Sequence, residues 1–126
     1  LMRKLNVLLV DDAPFIREIL RQVFTRAGHN VLAEAEDGNQ AVELAEKLNP
    51  DLVIMDIVMP QKSGVQATKE ILKKNPKIKV VACSTLDQEN MLMKVMEAGA
   101  VDFINKPFDS KKVMGIVENL FKGTDQ

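Results

Sequence analysis

Asp11, Asp12, Asp56, Ser84, Thr85 and Lys106 are the residues of this sequence best suited to chemistry, and each follows an apolar run. The sharpest case is Val53-Ile54-Met55-Asp56-Ile57-Val58-Met59-Pro60, where a buried-strand pattern climbs to one carboxylate and a proline soon ends it. Taken singly, such an Asp is most often a cap or turn residue, Ser-Thr before a helix an N-cap, and Lys-Pro a turn. Their meaning changes if the strands are parallel, because all these ends then share one sheet edge. Carboxylates brought together repel and raise one another's pKa unless a cation joins them. Lys106 offers one positive charge against the three acids, so a hard divalent cation such as Mg2+ suits the oxygen-only donor set. Two acids can serve the metal while the third acts as nucleophile; an aspartate that takes up a phosphoryl group is an established kind of covalent chemistry. Metal, Lys106 and Ser84 would then surround the phosphoryl oxygens and neutralise developing charge.

The elements that must hold these residues are readable in order. Leu5 to Val10 is a buried strand ending in Asp11-Asp12. Pro14 suits a first helical turn. Phe15, Ile16, Ile19, Leu20, Val23 and Phe24 then mark the clearest amphipathic helix, ended by Gly28. Val31 to Ala35 is a second strand, with Glu34 placing it nearer a sheet edge. After Asp37-Gly38, Ala41, Val42, Ala45 and Leu48 mark a second helix, stopped by Asn49-Pro50. Leu52 to Met55 is the third strand. Ser63 caps a third helix through Val65, Thr68, Ile71 and Leu72, closed by Asn75-Pro76. Ile78 to Cys83 is the fourth strand, and a fourth helix runs from about Gln88 to Ala98. Asp102 to Asn105 is a short fifth strand. Asp109 caps the last helix, whose stripe is Val113, Ile116, Val117, Leu120 and Phe121, and a polar tail follows from Gly123.

Strand and helix alternate throughout with short connections. That predicts an α/β doubly wound fold, a parallel sheet with helices on both faces and right-handed crossovers. No linker or composition shift divides the 126 residues, so one domain is expected over 1–126, with the fold itself at about 5–121. A formal net charge of -1 carries no electrostatic footprint for nucleic acid or membrane. No apolar run reaches the roughly 18 residues of a membrane span. Arg3-Lys4 runs straight into a strand, so no signal peptide is expected, and Leu1 before Met2 reads as an added residue. One cysteine and one histidine make an internal disulfide impossible and a zinc site a poor expectation. A cytoplasmic protein is the expectation.

In this order and these contexts, the sequence resembles the receiver domain of two-component response regulators, in particular the single-domain chemotaxis type. The matching signature is Asp11-Asp12, Asp56 followed by Met59-Pro60 and Gly64, then Ser84, Ala98-Gly99-Ala100 and Lys106-Pro107-Phe108. It covers essentially the whole chain, from Leu5 to about Phe121. The resemblance implies a flavodoxin-like (βα)5 sheet of strand order 2-1-3-4-5. It implies that Asp56 is the phosphoacceptor, Asp12 a direct Mg2+ ligand and Asp11 the holder of the metal's waters. Val58 would lend its backbone carbonyl to the metal, and Lys106 would pair with the phosphoryl group. Ser84 and Phe103 would be the switch hydroxyl and switch aromatic, and Lys106-Pro107 a bond the family commonly holds in cis. The implied partners are a sensor histidine kinase and a target protein on the face of the fourth helix, fifth strand and fifth helix. Neither direct nucleic-acid binding nor membrane insertion is implied, and a monomer is expected. The protein would not be an enzyme in the ordinary sense, although it would catalyse its own phosphorylation and dephosphorylation.

Some positions depart from the family's commonest pattern. Thr85 stands where a small residue is usual and could narrow the approach to the phosphoryl group. Val58 and Leu86 occupy positions that tune phosphoryl lifetime; both are apolar, so neither side chain can align an attacking water. A lifetime away from the short end is expected.

The fourth helix carries Met91, Leu92, Met93, Val95, Met96 and Ala98, more apolar positions than one buried face requires, which suggests either a loose core helix or a partner surface. Cys83 is expected to be an inert buried thiol, and His29 has no evident partner. An aspartyl-phosphate hydrolase of the haloacid dehalogenase type would pair its acids on one strand end, which this chain does not. A flavodoxin-like cofactor binder is disfavoured by the absence of Trp, Tyr and a Gly-rich phosphate loop. A phosphorelay intermediate, or a receiver belonging to a longer DNA-binding regulator, remains the alternative output.

Overall fold

The structure is a computed structural model and describes residues 2–123. The expectations for Leu1 and for residues 124–126 lie outside the described residues. The order is β1 (Asn6–Val10), α1 (Pro14–Arg26), β2 (Asn30–Ala35), α2 (Gly38–Leu48), β3 (Leu52–Asp56), α3 (Gly64–Lys74), β4 (Lys79–Ser84), α4 (Glu89–Glu97), β5 (Asp102–Asn105) and α5 (Ser110–Leu120), with a single 3-10 turn at Leu86–Gln88 before α4. The strands form one sheet of order β2-β1-β3-β4-β5, and every pairing is parallel. Both the alternation and the strand order match the sequence expectation. Glu34 does lie on an edge strand, β2.

Successive strand residues face opposite sides, so the sheet has two cores. Leu8, Val10, Val53, Met55, Val80 and Ala82 pack with α2, α3 and α4. Val7, Leu9, Leu52, Ile54, Val81 and Cys83 pack with α1 and α5. β3 is buried along its whole length, which is why its sequence is a continuous apolar run rather than an alternation.

Helix starts are set by local hydrogen bonds. Asp37, Ser63 and Asp109 accept from the backbone N–H groups of Gln40, Gln66 and Lys112. The fourth helix begins within one residue of the expected position near Gln88, and a 3-10 turn that the sequence reading did not foresee precedes it. The Gln88 side chain accepts the Thr85 N–H at 2.9 Å, so the chain turns tightly from Leu86 and α4 begins only at Glu89. Leu86, expected beside the site, is thereby placed on this turn and is 83% exposed.

His29 has a partner after all. Its Nδ1 accepts the Leu5 N–H at 3.0 Å, and the ring is buried near Phe24. Only the β1–β2 pairing brings the two together, and a short polar turn hides this in sequence. Burial holds the imidazole below its usual pKa against the opposing pull of Glu118, which suits a neutral acceptor.

Candidate functional site

The C-terminal edge of a parallel sheet gathers the residues that follow each strand. β1 delivers Asp11, β3 ends on Asp56, β4 ends on Ser84, and Lys106 follows β5. Carboxylate oxygens of Asp11, Asp12 and Asp56 lie within 4.8 Å of one another. Lys106 Nζ bridges two of them, 2.8 Å from Asp11 Oδ2 and 3.4 Å from Asp56 Oδ1. Asp11 and Asp56 are buried, while Asp12 is exposed. The site thus has a closed floor and an open acidic lip.

Several backbone features hold this floor. The other Asp11 oxygen accepts the Ala13 N–H at 2.9 Å. The Lys106 N–H donates to the Ser84 carbonyl at 2.7 Å, which ties the β5 exit to the β4 exit. The Lys106-Pro107 peptide is cis, as the resemblance implied. Gly64 opens α3 directly against β3, and a Cβ there would stand 2.2 Å from the Asp56 carbonyl oxygen. Only glycine permits that approach.

Electrostatics follow from this crowding. Burial pushes the Asp56 carboxyl up to about 6 and the Asp11 charge adds to the rise, with Lys106 pulling the other way. Burial opposes the charge on Lys106, yet Asp11 and Asp56 outweigh it and raise its pKa. Burial also pushes the Cys83 thiol up to about 12, so it stays an inert packing residue as expected. Ser84 is buried, and its Oγ has no hydrogen-bond partner among the described residues. Buried hydroxyls are normally paired, so this orphan donor beside an acidic cluster fits a site awaiting an oxygen-rich group. The clustered oxygens, with no sulfur or imidazole, fit a hard divalent cation.

Some of the expected side chains lie outside this cluster. Val58 is 49% exposed on the loop after β3, and Thr85 is half-buried at the β4 exit. Phe103 pairs in register with Ala82, next to the pairing of Ser84 with Asn105 two positions on, and is partly exposed. It lines a surface cavity with Lys112, Gly115 and Ile116 of α5. One contributor escaped the sequence reading. Arg17 Nη1 donates to the Asp11 backbone carbonyl at 2.7 Å, while its Nε donates to Glu34 at 2.8 Å. The available signal was a cation in the first turn of a helix, where the macrodipole disfavours it.

Comparisons with known proteins agree with this geometry. Residues 7–118 match the family described as response regulator receiver domain. Chemotaxis protein CheY of Thermotoga maritima is 44% identical over 117 residues, covering 93% of this chain and 98% of that relative. Protein CcdB of Bacillus subtilis is 45% identical over 115 residues, covering 91% and 96% respectively. Among solved structures, the CheX-CheY-BeF3-Mg+2 complex from Borrelia burgdorferi aligns with a TM-score of 0.87 at 34% identity, covering 95% of this chain and 90% of that chain. A strand order, an acidic edge and a family match that runs over most of the sequence lead to one conclusion: the chain belongs to the response regulator receiver domain family.

Proposed function

We propose that Asp56 accepts a phosphoryl group from the phosphohistidine of a sensor kinase and that the modified protein changes its affinity for a target. The observation that carries this reading is the convergence of three carboxylates with Lys106 on one sheet edge. An Asp56 oxygen attacks phosphorus, the P–N bond breaks, and the leaving imidazole keeps the electron pair and takes up a proton. Lys106 Nζ already reaches the carboxylate under attack and pairs with the incoming phosphoryl oxygens. The Ser84 hydroxyl, lacking a partner at the start, donates to one of them. Asp11, Asp12, Asp56 and the Val58 carbonyl would hold Mg2+. Bound there, the metal supplies charge neutralisation for the phosphoryl oxygens.

The output follows from which surface is linked to the site. Ser84 and Phe103 lie on adjoining strands, so a hydroxyl drawn to the phosphoryl group leaves space for the aromatic ring to follow. Met93, Val101 and Phe103 are exposed large apolar residues on or beside α4 and β5, and they fit a target-binding face. A similar CheY has been solved in complex with CheX, and a partner of that kind suits a chemotaxis-type role here. No described helix is long and apolar enough to cross a membrane.

The test is direct. With Mg2+ and acetyl phosphate, the protein should accumulate an acid-stable, base-labile phosphoryl adduct, and Asp56→Asn should abolish it. Steady turnover of phosphate monoesters with no adduct would instead identify a hydrolase.

A further inference from the structure

We infer that Arg17 is a positioning residue for the acidic site, held to that task by Glu34; the inference rests on the phosphoacceptor reading for its functional meaning. The argument starts from a conflict. α1 has no side-chain cap at Ala13 and no acid in its first turn, yet it carries a cation there. The positive end of the helix dipole disfavours that arrangement. A second arginine four residues on, Arg21, adds a like-charge pair on the same helix face, which is also unfavourable. Such local violations are expected where a site demands them.

Glu34 resolves both conflicts. Its Oε1 accepts from Arg17 Nε at 2.8 Å, and its Oε2 accepts from Arg21 Nε at 2.8 Å, with a further contact from Arg21 Nη2. Burial opposes the charge of this carboxylate, yet the two guanidinium groups prevail and lower its pKa. Arg17 is thus clamped on one side, with its side chain only 14% exposed. Its free edge sends Nη1 to the Asp11 backbone carbonyl at 2.7 Å. Asp11 in turn holds Lys106 with one carboxylate oxygen and the Ala13 N–H with the other. The chain of contacts runs from the edge strand β2, through α1, to the acidic residue at the site's centre.

The role is chiefly geometric. Glu34 offsets one of the two guanidinium charges, and Arg17 meets Asp11 at its backbone carbonyl rather than at its carboxylate, so the contact acts first on geometry. What it fixes is the Asp11 peptide plane, hence the direction in which Asp11 and Asp12 leave β1. A planar fork can serve a carboxylate and a carbonyl at once; a lysine ammonium on a flexible stem cannot reproduce that arrangement. Outer partners of this type orient the groups that bind a metal.

The experiment uses the full chain as parent, Arg17→Gln, Arg17→Lys, Glu34→Gln and the double variant. Mg2+ affinity is measured by titration calorimetry. Exchange of the Ala13 amide is measured by NMR in metal-free protein, against remote core amides such as Val117. Arg17→Gln should weaken Mg2+ binding by about tenfold and speed Ala13 exchange selectively. Arg17→Lys should fail to restore either property, and the double variant should be no worse than the worse single one. Parent-like affinity and Ala13 exchange in Arg17→Gln would overturn the proposal, as would full function in Arg17→Lys or additive losses in the double variant. Should Arg17→Gln not fold, Glu34→Gln and Arg17→Lys are read against the same criteria. A parent that binds no Mg2+ would sink the metal reading of the site instead, and Ala13 exchange would still decide the role of Arg17.

Discussion

Asp56 is the residue where stability and function oppose each other most directly. Its pKa in the fold, about 6 against an ordinary 3.8, means that the native state holds the proton more tightly than the unfolded chain does. The group therefore favours the fold fully below about 4, loses that contribution as pH rises towards 6, and is a net cost as an ionised carboxylate at neutral pH. The shift corresponds to roughly 3 kcal/mol as an upper figure. In metal-free protein, Asp56→Asn should raise stability at pH 7.5 by about 1–3 kcal/mol, with the gain shrinking as pH falls through 6. Urea unfolding in the presence of a chelator at several pH values checks this, and a gain that grew on acidification would contradict it. Val58 belongs to the same scale. Its side chain is half exposed and apolar, two positions after the proposed phosphoacceptor Asp56, so it offers a water nothing to bind. Val58→Asn should speed loss of the phosphoryl group several-fold by aligning that water. An unchanged decay rate of the adduct would remove this residue from any account of phosphoryl lifetime.

The elements matter through their ends. β3 stops at Asp56, and α3 can begin at Gly64 only because glycine lets its first turn lie on the Asp56 and Ile57 backbone. The Gly64 N–H donates to the Ile57 carbonyl at 2.8 Å, which fixes the loop that carries Val58. Gly64→Ala should cost about 1–3 kcal/mol in denaturant unfolding, because the clash is with the Asp56 and Ile57 backbone and cannot be relieved by a rotamer change. The same substitution should slow adduct formation, since α3 must move off the end that positions Asp56. Stability equal to that of the parent would mean that the loop tolerates the shift. The fourth helix makes the complementary point. Its surplus of apolar residues is divided between a buried Val95, half-buried Met91, Leu92 and Met96, and an exposed Met93. One helix thus closes a core and presents a surface.

At the scale of the whole molecule, the single sheet converts order along the chain into proximity. Lys106 and Asp11 are separated by 95 positions and meet at 2.8 Å because β1 and β5 run parallel and end on the same edge. Much of this was legible in the sequence. Apolar runs of strand length, helical stripes, caps and turn residues report local preferences, and five alternating units leave few ways to bury both faces of a sheet. The candidate residues were also legible, because a polar group at the end of a buried strand stands out against its neighbours. The 3-10 turn ahead of α4 was not, since the Thr85 N–H donating to the Gln88 side chain shapes it. Nor was the Leu5 N–H on His29 or the clamp of Glu34 on Arg17, because both depend on which residues the β1–β2 pairing sets side by side. From local pattern and resemblance, then, come the elements, the sheet order and the candidate groups for the proposed chemistry. Only the tertiary structure decided their distances, the burial that lifts the Asp56 pKa and the second layer that orients Asp11. The physical reason is that pattern and propensity act over a few neighbouring residues, whereas desolvation, charge pairing and hydrogen-bond geometry exist only once distant segments pack together.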